Sequence, residues 1–417
     1  MIKVWSDSVA AGLLGRGQDP LSGRGSVFAY LHNATSHRAV SVTMPVRLQS
    51  WDTTLGLAPI FEMNLPEGAL QERLRLRFAK AAGSFDDFDL LSIVGRSQLG
   101  RLRYSGTEDR LDESVPYQSV DEVLYRRGGV ELFRSLMDTF ATDSGISGVQ
   151  PKVLIRDEKS YVDQRLSQTF RGATHIVKFW NPDEFPQLAA NEYFCLQAAR
   201  RCGLDLPTYR LAEDGSALVI DRFDLRADGT YRGFEDFCVL NGHRTDEKYR
   251  GSYETSIMKR FQQFSNSQHV FADMEKLFTL IALNCALRNG DAHLKNFAIL
   301  YDDVLGEARL APVYDLITTT AYLPKDGMAL TMDGSTHWPT AKKLRAFGEM
   351  RMMGAPKKIG EILERVADAM SDAAEQLRMY ARENPAFAPV GAQMLEEWET
   401  GRQQSLGVSG LRRRGRL

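Results

Sequence analysis

From residue 150 onward the chain changes periodicity in a set order, and that order restricts its fold more than any other feature of the sequence. Two short apolar runs, Lys152-Val153-Leu154-Ile155 and His175-Ile176-Val177-Lys178-Phe179, have the length and β-branched content of strands. A helix of about 18 residues follows Pro186 and ends near Gly203. Ala217-Leu218-Val219-Ile220 then supplies a third strand. Beyond about residue 235 the pattern is helical, with an apolar stretch over 271–287 and amphipathic segments at 357–382 and 389–404. The order calls for an α+β lobe at 120–234 feeding a mainly helical lobe at 235–417.

The upstream region is a third part. Residues 1 to about 110 mix alternating segments, Ser26-Val27-Phe28-Ala29-Tyr30-Leu31 and Val40-Ser41-Val42-Thr43-Met44, with helical stretches at 69–82 and 86–95, which predicts a small α+β subdomain. Residues 106–120 are polar and aperiodic, a linker pattern. At 417 residues the chain exceeds what one small core supports, and 43% apolar with 25% charged residues is an ordinary globular balance. A formal charge of −2 gives no overall reason to bind nucleic acid or an anionic membrane. Any such contact is local, as at the Arg412-Arg413-Arg414-Gly415-Arg416 tail, for which a solvated terminus is the simpler account. Four scattered cysteines without C-x-x-C spacing fit a reducing compartment. An early Asp7 and the lack of any membrane-length apolar run argue for the cytoplasm and against export or membrane insertion.

Chemistry concentrates in Asn289-Gly290-Asp291-Ala292-His293-Leu294-Lys295-Asn296, which precedes the apolar run Phe297-Ala298-Ile299-Leu300. Phosphoryl transfer needs a carboxylate that orients the acceptor close to a group that holds a metal, and an Asp followed five positions later by Asn supplies both. Asp315, after Leu310-Ala311-Pro312-Val313-Tyr314, adds a second carboxylate. His293 invites a metal reading, but no second His or Cys stands at ligand spacing, so bracing the loop or touching nucleotide is the expectation, as for Lys295 beside it. Upstream, Lys178 at the end of an apolar strand is an unusual cation unless it meets a phosphate or an acid, and Glu192 on the next helix is its natural partner. Ser144-Gly145-Ile146-Ser147-Gly148-Val149-Gln150-Pro151-Lys152 can fold its backbone N–H groups around phosphates, with Gly148, Val149, Gln150 and Lys152 as the candidate contacts.

These segments, in order, resemble a known family. Gly148-Val149-Gln150-Pro151-Lys152, Thr174-His175-Ile176-Val177-Lys178, Asn191-Glu192-Tyr193, Asp221-Arg222-Phe223-Asp224, the Asp291 to Asn296 loop and Tyr314-Asp315 are similar to the HipA-type serine/threonine kinase toxins. Leu65-Pro66-Glu67, Asp89-Leu90-Leu91-Ser92-Ile93-Val94-Gly95-Arg96 and Gly100 resemble that family's N-terminal subdomain, so the likeness spans roughly residues 1 to 330. The resemblance implies a two-lobed protein-kinase-like fold, ATP and Mg²⁺ as cofactors, a protein serine or threonine as acceptor, and a small helix-turn-helix antitoxin of the HipB type that carries the DNA contact. It implies Asp291 as the base, Asn296 and Asp315 as metal ligands and Lys178 on the phosphates. Ile220 and Asp221 would lie near adenine, with Phe223 packing beside them. Family members target translation factors, aminoacyl-tRNA synthetases among them, and silence themselves by phosphorylating a serine of the glycine-rich segment. Here one position that holds that serine in some members is Gly145, leaving Ser147 and Ser144 as candidates.

Two other functions fit part of the pattern. Gly290-Asp291-x-His293-x-x-Asn296 is also close to the catalytic loop of small-molecule kinases of the aminoglycoside or choline type, which leave residues 1–110 unexplained. A non-catalytic co-repressor that holds an antitoxin on DNA would have no use for Lys178, Asp291, Asn296 and Asp315 together.

Overall fold

A computed structural model of the chain describes residues 1–17, 25–82, 85–125, 129–157, 170–181, 183–265, 268–352 and 356–410; the basic tail lies outside them. The chain divides into two compact units. The first comprises Met1–Phe179, Ala212–Glu247 and Ile299–Ala308, and the second comprises Trp180–Leu211, Lys248–Ala298 and Arg309–Leu417.

The first unit opens with β1 (Ile2–Ser6), β2 (Val9–Arg16), β3 (Ser26–Tyr30), β4 (Trp51–Thr53) and β5 (Leu102–Gly106), a five-stranded sheet in the order β4-β3-β2-β1-β5. Alternation drives it: Ile2, Val4 and Ser6 of β1 are buried while Lys3 and Trp5 between them are half-buried. Antiparallel registers Ile2↔Leu14 and Ile2↔Gly106 place β1 between β2 and β5. The predicted helices appear as Gly68–Ala82 and Asp87–Val94. The second is entered through a reciprocal cap in which Asp86 accepts from Asp89 N–H (3.1 Å) and Asp89 accepts from Asp86 N–H (3.1 Å).

The alternating Val40–Met44 segment departs from expectation. It forms a tight turn, closed by Met44 N–H on the Ser41 carbonyl (3.2 Å). The cause lies nearly two hundred residues away. The fully buried Glu235 accepts from Ser41 Oγ (2.6 Å) and from Val42 N–H (2.9 Å), drawing off a donor that a strand ladder would use. Burial still pushes the Glu235 carboxyl above its ordinary pKa, against the hydrogen bonds from Ser41, Tyr301 and Val42. Residues 107–119 form no helix or strand, and within them Val115 N–H donates to the Arg171 carbonyl (2.8 Å) and Glu113 pairs with Arg103 (2.6 Å).

Also in the first unit, β6 (Lys152–Ile155) and β7 (His175–Lys178) pair antiparallel with Lys152 opposite Lys178. β7 pairs in turn with the strand Leu218–Asp221, setting His175 opposite Asp221.

The second unit is built around the helix Val270–Leu287, whose side chains from Leu277 to Leu287 are all buried, as an apolar stretch without a polar face requires. The helices Leu188–Arg201, Pro356–Glu383 and Ala388–Gly401 pack in the same unit. Gly401 permits one close approach, since a Cβ there would overlap the Ala286 carbonyl. A buried polar clamp ties the helices to the segment after Asp315. Asn191 accepts from Thr318 N–H (2.8 Å) and donates to the Thr318 carbonyl (3.1 Å), and Trp398 Nε1 donates to Thr318 Oγ1 (2.7 Å). Among the described residues no helix is long and apolar enough to cross a membrane.

Candidate active site

The helix Val270–Leu287 stops at Arg288, whose φ of 57° lies in the left-handed region and turns the chain into the loop 289–296. Asn289 secures the reversal. Its N–H donates to the Asn284 carbonyl (3.0 Å), its amide nitrogen to Asn284 Oδ1 (2.7 Å), and its Oδ1 accepts from Asp291 N–H (3.1 Å). Gly290 has no room for a side chain, because a Cβ would overlap the Asp326 carboxylate. Its N–H donates to Thr319 Oγ1 (2.7 Å), which donates to Asp326 Oδ2 (2.7 Å). Further along, His293 N–H reaches the Asp291 carbonyl (2.8 Å), Leu294 N–H the Lys248 carbonyl (3.1 Å) and Asn296 N–H the His293 carbonyl (3.0 Å). The backbone is thus pinned along the loop by its own N–H groups and by the Asn289 side chain.

Asp291 keeps 44% of its side-chain surface open, enough for an acceptor to reach it. Crowding by the surrounding protein raises its pKa above the ordinary aspartate value; the Tyr249 hydrogen bond and the Lys248 charge oppose this, and the charges of Asp315 and Asp326 add to it. The Tyr249 hydroxyl donates to Asp291 Oδ1 (2.7 Å), leaving the other oxygen for chemistry. His293 is buried, with Tyr249 edge-on to its ring (centroids 5.1 Å). Burial, helped by the Lys248 and Lys295 charges, pulls its pKa down to about 3, so it is a neutral imidazole at physiological pH. That state suits bracing.

Asn296 is oriented by its own amide. Nδ2 donates to the Asp315 carbonyl (3.3 Å), whereas Oδ1 is buried with no hydrogen-bond partner. A buried carbonyl oxygen in that condition costs free energy unless something else meets it. Asp315 has a φ of 50°, a left-handed conformation that a non-glycine residue adopts at a cost and that is common at functional sites. The pair offers hard oxygen donors, the kind Mg²⁺ prefers. Lys295 is buried and its carbonyl accepts from the Tyr314 hydroxyl (2.8 Å). The second unit therefore gathers Asp291, His293, Lys295, Asn296 and Asp315 on two adjoining segments; Glu192 is fully buried in the helix Leu188–Arg201 of the same unit.

The remaining candidates fall in the first unit. Lys152 and Lys178 are both buried and stand opposite each other across β6 and β7, which brings two ammonium-bearing side chains to the same end of the strand pair. Gly148 has a φ of 109°, open only to glycine, and the Lys152 ammonium occupies the place its Cβ would take. Gln150 donates to the Phe179 carbonyl (3.1 Å), tying the segment to the end of β7, while Val149 is exposed. Ile220 is buried, Asp221 lies 3.3 Å from His175 Nε2, and Phe223 packs edge-on to Phe234. Of the two serines, Ser144 is wholly buried, donating to the Phe140 carbonyl (2.7 Å) and accepting from Leu154 N–H (2.8 Å); Ser147 is half-buried. The Gly145 position is closed, because a Cβ would overlap the Gln98 side chain and crowd the Ser97 carbonyl.

Sequence reasoning missed Lys248, Tyr249, Thr319 and Asp326. The Thr318-Thr319-Thr320 triplet shortly after Asp315 is a signal that could have pointed to the clamp behind Gly290. Nothing around Tyr249 distinguishes it from an ordinary polar loop.

Comparison with known proteins adds to this geometry. A family model described as the HipA-like C-terminal domain matches residues 144–374, and one described as the HipA N-terminal domain matches residues 2–105. The Sinorhizobium fredii protein Y4mE, provisionally named a kinase, is 28% identical over 359 residues, covering 80% of this chain and 82% of its own length. Y4dM of the same organism, named likewise, is 25% identical over 360 residues, covering 82% and 80%. Among solved structures, a chain from the complex of HipA, HipB and operator DNA of the Shewanella oneidensis MR-1 toxin–antitoxin system matches 98% of both chains with a TM-score of 0.68 at 18% identity. The fold is the two-lobed, kinase-like α+β one expected from the sequence.

Proposed function

Given that the chain belongs to the HipA family of toxin–antitoxin toxins, we propose that it is an ATP- and Mg²⁺-dependent kinase that phosphorylates serine or threonine on a protein. The observation that carries the reading is the oriented pair of Asp291 and Asn296: an open carboxylate with a raised pKa, and a buried amide oxygen left without a hydrogen bond.

Asp291 takes the proton of the acceptor hydroxyl as that oxygen bonds to the γ-phosphorus, and ADP leaves with the bridging oxygen. Tyr249 keeps the carboxylate turned toward the acceptor, and the pinned backbone of 289–296 holds it there. Asn296 Oδ1 and the Asp315 carboxylate would hold Mg²⁺, which when bound neutralises charge on the phosphates. Lys178, Glu192 and Lys152 with the segment 144–151 are the residues assigned to the nucleotide phosphates, and Ile220, Asp221 and Phe223 those assigned to the adenine. Lys295 supports the nucleotide, and neutral His293 braces the loop. The three parts at 1–110, 120–234 and 235–417 belong to the same proposal. The chain acts in the cytoplasm as a growth-inhibiting toxin, restrained by a small helix-turn-helix antitoxin through which DNA is reached. Of the two candidate serines, Ser147 is the one we assign to self-phosphorylation, because Ser144 is committed to two internal bonds.

Incubation of wild type and Asp291→Asn with labelled ATP, Mg²⁺ and cell lysate tests the reading. Wild type is expected to label protein serine or threonine and its own Ser147, and the variant, folded as judged by circular dichroism, to lose at least about 10²-fold in rate. Equal labelling by the two proteins would remove Asp291 from the mechanism.

A further inference from the structure

The segment Leu65-Pro66-Glu67-Gly68, between the N-terminal sheet and the helix Gly68–Ala82, reaches the glycine-rich segment within the first unit. Leu65 and Pro66 are buried, which roots the turn, and Glu67 is half-buried at its tip. The Glu67 carboxylate accepts a hydrogen bond from Gly148 N–H (3.1 Å). Gly68 follows with a φ of 56°, so close to the other strand of the contact that a Cβ would crowd the Val149 carbonyl (2.7 Å). Two backbones therefore meet here, Glu67–Gly68 on one side and Gly148–Val149 on the other.

We propose that Glu67 is a latch on the glycine-rich segment, a carboxylate that occupies the Gly148 N–H until a nucleotide phosphate displaces it. The proposal rests on the kinase reading, in which this segment wraps phosphates. A backbone N–H makes one good hydrogen bond at a time, so the donor given to Glu67 is withheld from phosphate. A carboxylate is the simplest mimic of a phosphate oxygen, and the two anions repel each other at short range. Gly148, with a φ open only to glycine, is the residue most able to swing its N–H from one acceptor to the other. Lys152, whose ammonium lies against Gly148, suits either anion and so does not decide between them. The N-terminal subdomain thereby sets the threshold at which nucleotide is admitted, a role its distance in sequence from the catalytic loop does not suggest.

The test compares full-length wild type, Glu67→Ala and Glu67→Gln by calorimetry with Mg²⁺ and a non-hydrolysable ATP analogue, and by amide hydrogen exchange of the peptide spanning Gly148 without nucleotide. Glu67→Ala is expected to tighten nucleotide binding by about three- to tenfold, the scale of one charge-assisted hydrogen bond, and to speed exchange at Gly148. Glu67→Gln keeps an acceptor without the charge and should fall between the two; it also carries the test if the alanine variant does not fold. Unchanged or weakened binding with accelerated exchange would make Glu67 a brace and overturn the competition. Unchanged exchange would overturn the latch itself. Binding by none of the three proteins would sink the kinase reading, and the competition with it, while the exchange data still report whether Glu67 holds the loop.

Discussion

His293 is held neutral where a solvated histidine would titrate near pH 6.5, and this makes the fold sensitive to acid. Its folded-state pKa is depressed to about 3, mainly by burial. Above about pH 6.5 the residue is neutral in both folded and unfolded chains and contributes nothing to the pH dependence. As pH falls from about 6.5 toward 3, the unfolded chain binds a proton that the folded one refuses, so stability declines across that window. Asp291 and Glu235 act in the opposite sense. Their raised pKa values mean that protonation is taken up more readily by the folded state, which relieves a penalty as pH falls. The difference between wild type and His293→Gln isolates the histidine. Urea unfolding at steps from pH 7.5 to 4 is expected to show a decline for wild type that the variant lacks or shows more weakly. Parallel curves would mean that His293 is protonated in the folded protein.

At the scale of elements, the loop 289–296 depends on a glycine that its neighbours leave no choice about. Gly290→Ala places a methyl group against the Asp326 carboxylate and should break the Gly290–Thr319–Asp326 chain, costing roughly 1–3 kcal/mol as overpacking does. Denaturant unfolding measures that cost, and the labelling assay should show a larger loss of activity than of stability because the loop carries Asp291. Full activity in this variant would show that the loop relaxes without moving its carboxylate. How much of this was legible follows from the range of each interaction. The Asp291, Asn296 and Asp315 spacing was visible because a short loop and the segment after it must present those groups together. Tyr249 and Asp326 were not, since each reaches the loop from a distant irregular segment where no period marks which side chain turns inward. The Val40–Met44 alternation misled for the same reason: Glu235, remote in sequence, decides that this stretch is a turn. Ser144 shows the converse, a side chain that sequence leaves open to modification and packing commits to β6 and Phe140.

For the whole molecule, the proposed toxin activity makes a prediction that no isolated unit can satisfy. Expression of the intact chain is expected to arrest growth of a bacterial host, Asp291→Asn to permit it, and co-expression of a small helix-turn-helix antitoxin to relieve the arrest while co-purifying with the chain. Arrest by the Asp291→Asn variant at equal expression would show that toxicity does not need phosphoryl transfer. The division of the chain bears on how such a protein comes to be made. Its first unit draws on Met1–Phe179, Ala212–Glu247 and Ile299–Ala308, and Glu235 in the middle segment joins Ser41 to Tyr301. On a ribosome adding about 5–20 residues per second, the chain between Phe179 and Tyr301 takes roughly 6–24 s to appear. For the first part of that interval the nascent chain has its N-terminal sheet but lacks the strand Leu218–Asp221 and the buried carboxylate that closes the Val40–Met44 turn, and the Tyr301 hydroxyl that meets the same carboxylate comes last. Folding of the first unit is therefore completed only late in translation, when Ile299–Ala308 has been made, and the edge of β7 that pairs with Leu218–Asp221 stays uncovered until synthesis has passed the middle of the chain.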